Sequence, residues 1–225
     1  MPKTKHHNTR RGNMKSVDLD QYMQEAQALL QSKDALELAI GVAAVTGRRY
    51  TEMVSDGQLK LSDHPHLLVF SGQPQQESPA SFDILTLSPA VDVLAALDQL
   101  RETPEGMGLE GKSSKHPNVK RFNAWINRGV HRLLGRTGII PVLAGSKTVS
   151  MQRLREVYGA IAIHYFCPKN QREHLFLQCY LGHVLDRDIA PNAKITDFDF
   201  PYSLVRVNKR LQARGVKVSS TGPLP

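Results

Sequence analysis

Two cysteines, Cys167 and Cys179, are all that 225 residues contain, so a disulfide framework is excluded as the source of stability. No apolar run reaches the roughly 18 residues of a membrane span. The opening segment "MPKTKHHNTRRGNMK" has no apolar core of the kind a secretory signal needs. Aromatic residues make up 6% of the chain, with a single tryptophan, which argues against a reader of single-stranded RNA that stacks bases on exposed rings. The nine histidines form no compact ligand spacing with cysteine or carboxylate, and His64 and His66 merely flank a proline. No metal and no cofactor is expected. The most informative scarcity is acid. From Gly111 to Arg155 there are ten Lys or Arg and not one Asp or Glu.

What is present follows the same division. Residues 1–15 carry Lys3, Lys5, Arg10, Arg11 and Lys15 without an acid, and after Asp199 come Arg206, Lys209, Arg210, Arg214 and Lys217, again without one. The net charge is +8 and the pI about 9.6. The acids crowd into 18–110 and 156–199, so one half of the molecule is built to face a polyanion. Hydrophobic content of 40% suffices for a packed core. A cytoplasmic, nucleoid-associated protein of bacterial, phage or plasmid context fits, without membrane attachment.

Periodicity divides the chain into a disordered basic arm over 1–15, one domain over 16–218 and a flexible tail over 219–225. "SVDLDQYMQEAQALLQ" predicts a helix capped by Ser16, and "ALELAIGVAAV" a buried helix over about 34–46 that stops at Gly47. "HLLVFSG" and "FDILTL" read as a hairpin with a long polar link, and "PAVDVLAALDQLRE" as an amphipathic helix with Pro89 at its start. "TPEGMGLEGKSSKHPN" reads as a loop. "VKRFNAWINRGVHRLL" is a helix with Phe122, Trp125, Ile126, Val130, Leu133 and Leu134 inward and Arg121, Arg128 and Arg132 outward. "SMQRLREVYGAIAIHYF" and "REHLFLQCYLGHVL" are two further helices, and a short basic helix ends the chain. The fold class is α+β, mostly helical, with a small antiparallel sheet.

"GMGLEGKS", Gly106 to Ser113, matches the phosphate-loop pattern. That motif needs a buried strand before it and a helix directly after it. Here a helix and Thr103-Pro104 precede it and Pro117 follows, so a plain loop is the better reading.

Four other pieces acquire meaning together. "TGRRYTEM" follows a helix end, "VFSGQ…FDILTL" is a hairpin, "RLREVYGAIA" opens a buried helix, and "LGH" comes 28 residues later. Their order and spacing resemble the catalytic domain of tyrosine recombinases, and most closely the hairpin telomere resolvases (protelomerases), over roughly residues 20–200. The resemblance implies that Arg49 and Arg155 are the two phosphate-holding arginines and that His183 is the histidine beside them. It implies that Glu52 fixes Arg49 and that Arg48 contacts the DNA backbone or serves structure. Guanidinium forks suit the nonbridging oxygens of a phosphodiester under attack. The resemblance also has gaps. The hairpin turn "SGQPQQES" holds no lysine to act as general acid, and Lys60 precedes the first expected strand. No tyrosine falls about nine residues after His183. Tyr202, 19 residues after it, is the candidate nucleophile if the connecting loop is lengthened.

The expected function is therefore duplex DNA binding by a recombinase-like or telomere-resolvase-like fold that is catalytically impaired. It would act as a regulator or accessory factor of a mobile element or replicon, and a homodimer on DNA is compatible with it. The alternative is an active DNA breaking-and-joining enzyme using Tyr202, a strand transferase without cofactor. A basic RNA-binding protein is the third reading. The expected DNA contacts are Lys3, Lys5, Arg10, Arg11, Arg48, Lys112, Lys115, Lys120, Arg121, Arg128, Arg132 and Arg153.

Overall fold

The computed structural model describes residues 15–48, 54, 58–71, 82–112, 115–143, 145–167, 173, 176 and 205–207. The elements in chain order are β1 (Lys15–Val17), α1 (Leu19–Leu30), α2 (Ala35–Thr46), β2 (Gln58–Leu61), β3 (Leu67–Ser71), β4 (Phe82–Leu85), α3 (Ala90–Glu102), α4 (Pro104–Met107), α5 (Pro117–Val130), α6 (Met151–Phe166) and β5 (Val205–Val207). A π-helical turn, His131–Gly135, continues α5.

Helix α2 is the axis of the fold. Its sequence "ALELAIGVAAVT" has no polar face beyond Glu37, and nearly every residue is buried. A helix apolar all round must be covered on all sides, and α1, α3, α5 and α6 all pack on it. Gly129 of α5 permits one of these close approaches, since a Cβ there would come within 2.7 Å of Leu36 Cδ1 on α2. Asp34 caps α2, its Oδ1 accepting from the Leu36 and Glu37 amides. At the other end Gly47 takes a left-handed conformation with φ of 61°, and its N–H donates to Ala43 O.

Strands β2, β3 and β4 form one antiparallel sheet in that order. Leu59 pairs with Phe70, and Leu68 with Ile84, and these four side chains share the buried face. The hairpin expected from sequence is present as β3 and β4, but the sheet has a third member. Lys60 lies on β2, opposite Val69, and not ahead of the sheet. The strand was hidden because only Leu59 of its four residues is buried, so its alternation is too short to read.

Three further boundaries differ from expectation. Ser16 belongs to β1, and Asp18 caps α1 by accepting from the Gln21 amide. Lys15, assigned above to the basic arm, opens β1. The span expected as a loop after α3 starts with a short helix, α4, in which Thr103 Oγ1 accepts from the Gly106 amide. Strand β5 was not anticipated at all. It pairs in parallel with β1, Lys15 opposite Val205 and Val17 opposite Val207, and packs on α6. Of the helix expected over "REHLFLQCYLGHVL", Glu173 and Phe176 are described and both are helical. The basic helix expected at the end of the chain lies outside the described residues.

Candidate functional site

The site is built where the C-terminal end of α2 meets α6. Gly47 ends α2, and Tyr158 of α6 lies against it. A Cβ at residue 47 would come within 2.1 Å of Tyr158 Cδ1. The Tyr158 hydroxyl donates to Leu85 O at 2.8 Å, and the Leu87 amide to Val45 O at 2.8 Å. Helix α2, helix α6 and the end of β4 are thereby locked around one buried phenol.

Arg155 sits one helical turn before Tyr158 on the same side of α6. Arg48 directly follows Gly47. Both side chains are largely enclosed, Arg48 at 6% exposure and Arg155 at 8%. A guanidinium held this deep has its stem packed and its fork limited to few directions. The backbone N–H of Arg48 donates to Thr46 Oγ1 at 3.2 Å, and that hydroxyl donates to Val42 O at 2.7 Å. Arg49, Glu52, His183 and Tyr202, the other members of the expected constellation, lie outside the described residues, as do Lys3, Lys5, Arg10 and Arg11.

Helix α6 carries a second arginine near its start. The Arg153 guanidinium forms an ion pair with Glu156, three residues on, whose carboxylate is almost fully buried. Burial pushes the Glu156 carboxyl up to about 6, with Arg153 pulling the other way. Arg153 is therefore engaged by a carboxylate of its own helix.

The N-terminus of α6 is held from a distance. Ser150 at the cap position makes no capping side-chain hydrogen bond. Instead Asn127 Oδ1, on α5, accepts from the Met151 amide at 3.0 Å, while its amide group donates to Asn123 O at 2.9 Å. One turn further, His131 Nδ1 accepts a longer bond of 3.4 Å from the Val149 amide. An accepting Nδ1 leaves the proton of the neutral ring on Nε2. These contacts fix α5 against the helix that bears Arg155.

Helix α5 also carries the cations. Lys120, Arg121 and Arg128 are exposed on it, and Arg132 is exposed in the π turn that follows. Lys115 is exposed just before it. Arg136 and Lys147, not singled out from sequence, are exposed in the connection to α6, and the acid-free run over 111–155 was the signal that could have found them. Lys112 is half-buried, and its ammonium donates to Gly108 O within its own turn, which agrees with a loop and not a phosphate cradle. Trp125, expected to point inward, is only half-buried. It lies against the core at the edge of the basic face, with its ring 5.2 Å from that of Phe122.

His66 is buried, its Nδ1 hydrogen-bonded with Thr86 O at 2.9 Å. Loss of solvation holds it below the usual histidine range. Among the described residues no group of three His, Cys, Asp or Glu could hold a metal ion, and no helix is long and apolar enough to cross a membrane.

A mostly helical domain with a three-stranded antiparallel sheet and a buried arginine at the start of α6 has the architecture of a tyrosine-recombinase-like catalytic domain. Residues 13–193 match the family described as telomere resolvase ResT/TelK catalytic domain, and the chain belongs to that family. Among solved structures, an arginine-to-alanine variant of the protelomerase TelA complexed with a DNA hairpin product superposes with a TM-score of 0.71 at 20% identity, over 92% of this chain and 64% of that one. TelA covalently complexed with substrate DNA gives 0.69 at 19% identity, with the same coverage. The protelomerase TelK complexed with substrate DNA gives 0.65 at 20% identity, over 89% of this chain and 39% of that one. The chain thus spans less than two thirds of the length of these relatives. No curated protein sequence matches it.

Proposed function

We propose that this chain binds duplex DNA through the exposed basic face of α5 and the start of α6, and that it is impaired in strand cleavage. The observation that carries the binding is the placement of Arg121, Arg128 and Arg132 on one exposed face, with no acid between Gly111 and Arg155. Family membership, and the DNA named in the structures of TelA and TelK, support the same ligand. Arg49, Arg155 and His183 are the proposed phosphate-holding groups, backed by Arg48. Arg155 and Arg48 flank the Gly47–Tyr158 contact, as a clamp would require. Lys3, Lys5, Arg10, Arg11, Lys112, Lys115, Lys120 and Arg153 are proposed to add phosphate contacts. Impairment is inferred from the hairpin sequence "SGQPQQES", which supplies no lysine, and from the lack of a tyrosine about nine residues after His183. A role as regulator or accessory of a replicon or mobile element follows from binding without cutting, with a homodimer on DNA as the proposed assembly.

The second reading, an active strand transferase, is favoured by two observations. Lys60 lies on β2 beside the hairpin, not outside the sheet. Tyr202 precedes β5 by three residues, and β5 packs on the helix bearing Arg155. Cleavage would transfer the phosphoryl group from the leaving 5′-oxygen to the tyrosine oxygen, the leaving oxygen taking a proton from a general acid. A suicide duplex, nicked so that the cut strand diffuses away, separates the two readings. Binding without a covalent adduct on denaturing electrophoresis is expected. An adduct lost in Tyr202→Phe would establish the enzyme. No duplex binding at low salt would overturn both.

A further inference from the structure

Arg121, Trp125, Arg128 and Arg132 recur at spacings of four, three and four residues. At 3.6 residues per turn they fall within an arc of about 60° and along about 16 Å of helix axis. The three arginines are exposed and the tryptophan is half-exposed. An amphipathic helix needs no tryptophan here for its core. Val119, Phe122, Ile126, Val130 and Leu134 already fill the buried face. The indole instead lies at the border, packed on the core and on Phe122, on the side of the helix that Arg121, Arg128 and Arg132 share by their spacing. An aromatic ring backed by a rigid core and flanked by cations is matched to a ligand that presents apolar edges between anionic groups. Duplex DNA does so, with sugar and base edges lying between its phosphates.

Resting on the reading that the chain binds duplex DNA, we propose that the Arg121–Trp125–Arg128–Arg132 stripe of α5 and its π turn is the duplex-contacting surface, with Trp125 an apolar contact at its centre. A helix of 10–12 Å diameter fits a major groove about 12 Å wide. The arginines reach phosphates on either side, while the indole covers a sugar or base edge such as a thymine methyl. Because Asn127 and His131 tie the same helix to the N-terminus of α6, docking the stripe also fixes where Arg155 lies relative to the duplex.

Trp125 is the sole tryptophan, so its emission reports on this surface alone. The wild-type chain is titrated with a fluorescein-labelled duplex, followed by anisotropy, and with the unlabelled duplex, followed by tryptophan emission and acrylamide quenching. Both signals are expected to saturate together, with Trp125 protected from acrylamide in the complex. Trp125→Ala is expected to lower affinity about tenfold, the scale of one aromatic contact in a nucleic-acid interface, and to leave the salt dependence unchanged. Each of Arg121→Ala, Arg128→Ala and Arg132→Ala is expected to reduce the slope of log K against log salt by about one. Trp125→Phe, which retains the core contact, controls for folding and should fall between wild type and Trp125→Ala. Saturable anisotropy with unchanged emission and quenching would overturn the stripe while leaving duplex binding intact. Absence of anisotropy change at low salt would overturn the binding reading itself. Equal protection of Trp125 by an A-form RNA duplex of the same length would overturn the commitment to DNA.

Discussion

The contact between Gly47 and Tyr158 can be tested against an internal control. Substituting Gly47 by alanine adds two separate costs. The first is backbone strain, because φ is 61°. A residue with a Cβ in the left-handed region loses roughly 1–2 kcal/mol. The second is collision, because the new Cβ would stand 2.1 Å from Tyr158 Cδ1 and 2.7 Å from its Cγ. The ring cannot simply yield, since its hydroxyl is fixed on Leu85 O and the residue is fully buried. Overpacking of this kind costs a further 1–3 kcal/mol, approximately. Gly111 has nearly the same φ, 64°, with nothing within 4 Å of a Cβ. Gly111→Ala should therefore show the strain alone, about 1–2 kcal/mol, and Gly47→Ala about 3 kcal/mol or more. Asparagine tolerates the left-handed region better than alanine. It should bring Gly111→Asn close to wild type without rescuing Gly47→Asn. Urea denaturation followed by circular dichroism measures all four variants. Equal losses for Gly47→Ala and Gly111→Ala would refute the claim that Tyr158 is pressed onto the end of α2.

Four further outcomes follow from other features of the chain. Asn127→Ala should cost about 1 kcal/mol, as loss of a helix cap does, and speed amide exchange at Met151; Asn127→Asp should restore the stability while weakening duplex binding by its negative charge. Glu156 has a folded-state value of about 6, above the unfolded 4.5, so the folded state binds more protons between those values and stability falls as pH rises through that window, by about 2 kcal/mol in all; Glu156→Gln should remove this slope in denaturation curves taken from pH 4 to pH 7. Burial holds His66 below its unfolded value of 6.5, so its contribution has the opposite sign: stability is lost as pH falls below 6.5, and His66→Asn should reduce that acid sensitivity in the same series. Removing residues 1–14, which carry Lys3, Lys5, Arg10 and Arg11, should lower the salt slope of duplex binding by about 3.6 without changing the melting temperature.

How much of this was legible in the sequence depended on whether a signal was local. Helix α2 declared itself by an unbroken apolar run and Gly47, helix α5 by its sharp division into apolar and basic faces, and α2, and α5 taken with its π turn, appear within a residue or two of expectation. Strand β2 was not legible because four residues with one buried side chain carry no period. Strand β5 was not legible because "VRV" is ordered by pairing with β1, some 190 residues earlier in the chain. The helix that bears Arg155 was legible in the sequence, but the surroundings of Arg155 were not. Neither the Tyr158 hydroxyl on Leu85 O nor Asn127 on the Met151 amide follows from local spacing, since each joins elements 24 or more residues apart. Trp125 was read only in part, for a different reason. At a face boundary a large aromatic residue counts as core by hydropathy, whereas the geometry gives it to both faces.

The same distinction bears on the proposed phosphate clamp. Arg155 is carried by α6, whose Leu154, Val157, Tyr158 and Ile161 are core residues. Its position is therefore maintained by the packing of the whole domain, and selection for folding alone would preserve the backbone that presents it. General acid catalysis supplies about 10² to 10⁴ in rate, so loss of the lysine alone would leave a slow enzyme. A chain whose arginines remain fixed by α2 and α6 would still bind phosphate after the lysine and the tyrosine were gone. A lysine placed in the turn between β3 and β4, as in Gln75→Lys, should raise the yield of adduct on the suicide duplex if Tyr202 is a working nucleophile. It should leave the yield at zero if the chain is a binding protein whose clamp has outlived its tyrosine.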